Sequence, residues 1–178
     1  MKENQVKKLV MAAMCVALGL VLPMAFHTIQ NAGSIFLPMH IPVLICGLLC
    51  GWQYGLICGI LAPVLSSLFT GMPPAAILPA MLCELAVYGL ITGICVYGIH
   101  TEKQIVKIYG SLITAMLAGR IVSGILKALI FNVGEYSFKI FITSSFLTGI
   151  PGILIQLIFI PVIVLALQKA GIAEPKRR

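Results

Sequence analysis

The chain has 178 residues, of which 60% are hydrophobic and only 10% charged. A soluble domain is about half apolar and about one quarter charged, so a soluble core of this size has no room for the excess. The formal net charge of +7 is carried mainly by Lys2, Lys7 and Lys8, then Lys103 and Lys107, then Lys169, Lys176, Arg177 and Arg178, a spacing that marks cytoplasmic loops rather than a nucleic-acid patch.

A membrane-spanning helix needs about 20 apolar residues. Six of them with short connections use the whole chain. The predicted fold is an all-α membrane protein, a six-transmembrane-helix bundle with both termini cytoplasmic, built as a single integral membrane domain over residues 1–178. The first span is expected at about residues 9–26, anchored by Lys7 and Lys8. It is as long as a true span and no small-residue cleavage site follows it, so it reads as a retained helix and not a signal peptide. Residues 27–39 contain no Lys, Arg, Asp or Glu and are placed outside, with Ile35-Phe36-Leu37-Pro38 dipping back onto the protein. Two spans follow at about 35–51 and 55–70, separated by Gly51-Trp52-Gln53-Tyr54-Gly55. Each is near the lower length limit for crossing, and Pro38 and Pro42 predict a bend or break at the outer end of the first. Trp52 and Tyr54 suit the inner interface.

Gly71-Met72-Pro73-Pro74 cannot continue a helix and forms an outer turn. The fourth span is predicted at about 76–97, a lysine-bearing cytoplasmic loop at 100–107, the fifth span at about 108–131 and a polar outer loop at 132–139. The sixth span is expected at about 150–168, because Pro151 suits a first helical turn. Basic residues at both ends require an even number of crossings. Cys15, Cys46, Cys50, Cys58, Cys83 and Cys95 all lie in apolar stretches and read as small packing residues rather than a disulfide framework.

Three ionisable residues fall inside predicted spans: Glu84, Arg120 and Lys127. A charge at mid-bilayer costs about 2.5–3.5 kcal/mol even on lenient insertion scales, so such residues normally face a partner or a pocket. At ~1.5 Å per residue, Glu84 and Arg120 each lie roughly 15 Å below the outer surface and Lys127 roughly 10 Å nearer to it on nearly the same helix face as Arg120. One reading is a Glu84–Arg120 pair that only fixes helix packing. The preferred reading is a pocket open to the outside, net positive and suited to a carboxylate or phosphate, with Tyr88, Asn132 and Gln156 adding hydrogen bonds. His27 and His40 flank the outer loop and read as structural residues; neither a metal site nor a cofactor is expected. No Ser/His, paired acidic or His-rich set supports an enzyme. The nucleotide-binding pattern Gly-x-x-x-x-Gly-Lys-Ser/Thr is lacking as well. Ala13 and Ala17, four apart on the first helix, would let another helix approach closely.

Taken in order, the motifs resemble the substrate-binding S component of an energy-coupling factor (ECF) vitamin transporter. They are Ala13-x-x-x-Ala17; Met39-His40-Ile41-Pro42-Val43; Thr70-Gly71-Met72-Pro73-Pro74; Glu84-Leu85-Ala86-Val87-Tyr88-Gly89; Gly119-Arg120; and Pro151-Gly152-Ile153 with Gln156. The resemblance covers nearly the whole chain. It implies a six-helix subunit without ATPase activity in the plasma membrane. Such a subunit captures a vitamin or related micronutrient outside and works with a transmembrane T subunit and two cytosolic ATPases. It further implies that Ala13 and Ala17 lie against the T subunit, that residues 27–39 act as a lid, and that ligand sits near the outside among the later helices. That last point agrees with Glu84, Arg120 and Gln156. The nickel and cobalt branch of the family uses an amino-terminal Met-His, from which the internal Met39-His40 departs. The competing function is a self-sufficient secondary carrier for a small organic solute, with Glu84 as a proton-linked group; the chain shows no two inverted repeats of the kind many such carriers have.

Overall fold

The computed structural model describes residues 2–25, 32–130, 143 and 149–172. They form α1 (Lys2–Ala25), α2 (Ala32–Phe36), α3 (His40–Cys50), α4 (Trp52–Thr70), α5 (Leu78–Gly98), α6 (Gln104–Ile130) and α7 (Ile150–Lys169), with no strand among them. Among the described residues, five segments are long and apolar enough to cross a membrane: Asn4–Ala25, Trp52–Thr70, Leu78–Gly98, Gln104–Leu129 and Ile150–Lys169. The sixth apolar helix, α3, has only 11 residues. It rises about 16 Å, roughly half the hydrocarbon thickness.

That short helix differs from the single span expected over 35–51. The chain breaks after α2, where Leu37 takes a left-handed φ of 51°, and α3 starts only at His40. A bulky residue in that backbone region is sparsely populated, so the surrounding packing must hold it. Leu37, Pro38 and Met39 are buried, so the segment turns into the bundle rather than over it.

The outward surface is that of a protein in lipid. Val10, Leu18 and Val21 on α1, Leu68 and Phe69 on α4, Ile121 and Ile125 on α6, and Leu154 and Val162 on α7 are all exposed. An apolar surface of this extent has no stable soluble counterpart. Inside, α5 packs against α3, α4 and α6, while α1 lies against α3 and α4. α1 turns Ala12, Cys15 and Gly19 inward and leaves Ala13 and Ala17 exposed. Cys15, Cys46, Cys50 and Cys58, from α1, α3 and α4, meet in the core.

The tightest helix crossings are built from glycine. Gly55 of α4 lies against the backbone of Gly89 on α5, Gly59 against that of Leu85, and Gly93 against that of Trp52. Gly47 of α3 joins the same junction, where an added β-carbon would stand 2.8 Å from the Gly89 carbonyl oxygen. At one end of the bundle Gln104 Nε2 donates to Gln168 Oε1, tying the start of α6 to the end of α7. At the other end Ser66 and Ser67 donate to the carbonyls of Met72 and Pro73 and fasten the turn after α4.

Candidate functional site

Of the polar side chains buried inside this apolar bundle, those of His40, Glu84 and Arg120 gather around Tyr88. Glu84 and Tyr88 sit one turn apart on α5, 7% and 0% exposed. The Tyr88 hydroxyl donates to Glu84 Oε1 at 3.2 Å. His40, the first residue of α3, brings Nε2 to 3.5 Å from the same oxygen. Its ring meets Tyr88 edge-on, with centroids 5.2 Å apart. Thr92 donates to the Tyr88 carbonyl and steadies the next turn of α5.

α6 reaches this group through Gly119, which packs against the Tyr88 ring where a β-carbon would collide with Cδ1 and Cε1. The following residue, Arg120, is 5% exposed and lies within hydrogen-bonding reach of the Tyr88 hydroxyl. Tyr88 thus stands between the carboxylate and the guanidinium. The guanidinium also lies over Gly149, where a β-carbon would come within 3.1 Å of Nη2. Gly149 is the N-cap of α7 and supplies no side-chain cap. A helix N-terminus carries about half a positive charge, so two positive features converge here. Lys127, two turns beyond Arg120 on the same helix, is half-buried.

Gln156, two turns into α7, is fully buried. Its Nε2 donates to the Leu37 carbonyl at 3.5 Å, which also accepts the backbone N–H of His40 at 3.1 Å. Gly152, one turn earlier, lets α2 lie directly on α7; a β-carbon there would meet the Ile35 carbonyl oxygen at 2.7 Å. The left-handed turn at Leu37 is therefore where α2, α3 and α7 converge.

The structure brings together Glu84, Tyr88, Arg120 and Gln156, with Lys127 farther along α6. Asn132 lies outside the described residues. α5 starts at Leu78, two residues after the expected start of the fourth span, and Glu84 lies six residues into it. The sequence reads His40 as a structural residue flanking the outer loop, and in the structure it faces Glu84. Its signal was present: cysteines apart, it is the one polar side chain in the stretch 35–51. Among the described residues no three His, Cys, Asp or Glu side chains are arranged to hold a metal ion. A separate concavity of about 180 Å³ opens near the α5–α6 loop, lined by Tyr97, His100, Glu102 and Lys107 among others, and takes in none of these site residues.

Residues 7–167 match the family described as the ECF transporter, substrate-specific component. Comparison with curated proteins and with solved structures gave no match.

Proposed function

The chain belongs to the substrate-specific components of ECF transporters, integral membrane subunits of transporters rather than enzymes, and we propose that it captures a small anionic micronutrient, a carboxylated vitamin such as pantothenate. It hands this ligand to an importer completed by a T subunit and two cytosolic ATPases in the plasma membrane. The observation that carries the reading is Arg120: a guanidinium 5% exposed in an apolar bundle, set over the uncapped N-terminus of α7. Two positive features in one buried place favour an anion. Glu84 and Tyr88 hold the guanidinium in position. The test is titration of the purified protein with pantothenate, followed by uptake into vesicles with and without the T subunit and ATPases. Binding without partners and ATP-dependent uptake only with them is the expected result. Uptake by the isolated protein would favour the secondary carrier instead.

Orientation follows from charge. Nine of the twelve Lys and Arg residues, at positions 2, 7, 8, 103, 107, 169, 176, 177 and 178, belong to the termini and the α5–α6 loop region. The positive-inside rule places these in the cytoplasm and the Arg120 site toward the outside. Reporter fusions at the two ends should both read cytoplasmic. One end reached by an impermeant label from outside would overturn this topology.

Ala13 and Ala17 are exposed on α1 and pack on nothing within the bundle's core. Small side chains on an exposed apolar face suit the close approach of a partner helix, and we place the T subunit there. Ala13→Leu should leave pantothenate binding intact while lowering uptake by the full complex about tenfold, the effect of ~1.4 kcal/mol lost from assembly. Unchanged uptake would show that this face meets only lipid.

A further inference from the structure

Apolar bundles do not leave polar atoms unsatisfied without cause, because each costs about 1–3 kcal/mol. Among the described residues, such atoms include Gln156 Oε1, His40 Nδ1 and Ser123 Oγ, on side chains 0%, 2% and 1% exposed. Their hydrogen-bonding sense can be worked out. Gln156 directs its amide nitrogen at the Leu37 carbonyl, which needs a donor, so the atom left over is the amide oxygen, an acceptor. His40 turns Nε2 toward Glu84 Oε1. A proton on Nε2 faces the carboxylate, and Nδ1 is an acceptor when the ring is neutral and a donor when it is protonated. The Leu37 carbonyl accepts both the Gln156 amide and the His40 backbone N–H, which ties the two residues to one turn. Ser123, one turn beyond Arg120, serves as either donor or acceptor.

We infer that the ligand is bipolar: besides the acidic group it offers Arg120, it presents at least one O–H or N–H to the buried acceptor Gln156 Oε1. The inference rests on the proposed binding role of this site and goes beyond it, by naming the chemistry of the ligand's second end. It excludes acids whose remainder carries no donor. A site built to receive a donor discriminates strongly against an analogue without one, because its own buried acceptor is then left unpaired.

The experiment is calorimetric titration of the purified full-length protein with five probes. Pantothenate and biotin carry an acid and N–H or O–H donors. Pantothenol keeps the donors and lacks the acid. Lipoate and nicotinate carry the acid and no other donor. The expected result is that the tightest probe is an acid with donors. In Gln156→Met its affinity should fall about tenfold, the loss of one buried hydrogen bond. Lipoate and nicotinate, where they bind at all, should change little. Equal loss for probes with and without donors would mean that the substitution has merely disturbed the Leu37 turn, and would overturn the inference. So would lipoate or nicotinate as the tightest probe. Pantothenol binding as well as pantothenate would instead overturn the anionic reading and leave the donor inference standing. If no probe binds, both fall.

Discussion

Arg120→Met should weaken binding of an anionic ligand by about 2–5 kcal/mol, the range for losing a buried, charge-assisted contact. Methionine keeps much of the length and fills the space against Gly149, so the loss reports charge more than volume. Glu84→Gln tests how the guanidinium is held. The Tyr88 hydroxyl can still donate to the amide oxygen, but the negative charge that balances Arg120 and faces His40 is gone. Affinity should fall by a smaller amount, about 1–2 kcal/mol. A purely structural set would behave otherwise. Each single change would lower thermal stability, and apolar replacement of Glu84 and Arg120 together would recover it. Ligand affinity and melting temperature are therefore measured side by side on purified protein. An Arg120→Met variant that binds like the parent and only melts earlier would remove Arg120 from the site.

The helices were legible because lipid demands long apolar runs, and Gly, Pro and Lys punctuate them here. The break before α3 was legible only in kind. Pro38 and Pro42 announced it, but the left-handed turn at Leu37 depends on packing against α7 through Gly152 and Gln156, contacts about 115 residues apart in the chain. The intramembrane charges stood out by their cost, so Glu84 and Arg120 were found. Their geometry was not. Depth counted along two separate helices says nothing about which side chain stands between them, and Tyr88 takes that place because Gly119 admits its ring. His40 reads as a structural residue at the edge of the loop that precedes it, and its approach to Glu84 is not visible in the sequence. It starts α3 well inside the bundle, a fact fixed by how far residues 32–39 fold inward.

The largest structural effect is expected at Gly89, where the bundle has no slack. A methyl group there would run into the Gly55 carbonyl on α4. Both sides of the contact are helix backbone, so relief requires α4 and α5 to separate. Those helices carry the α4–α5 junction, and α5 carries Glu84 and Tyr88. Gly89→Ala gains up to about 1 kcal/mol of helix propensity, but overpacking a closed core costs about 1–3 kcal/mol and more where backbone must move. The collision should win, with a net loss of about 2 kcal/mol or more and weakened ligand binding as α5 shifts. Gly98, the last residue of the same helix, supplies the control. Nothing lies within 4 Å of a β-carbon added there, so Gly98→Ala should be neutral or stabilise by up to about 1 kcal/mol. Thermal unfolding of the two variants in the same detergent compares them directly. If Gly89→Ala melts with Gly98→Ala, α4 and α5 are not locked at this contact, and the rigid floor beneath the Glu84–Tyr88–Arg120 group must come from elsewhere.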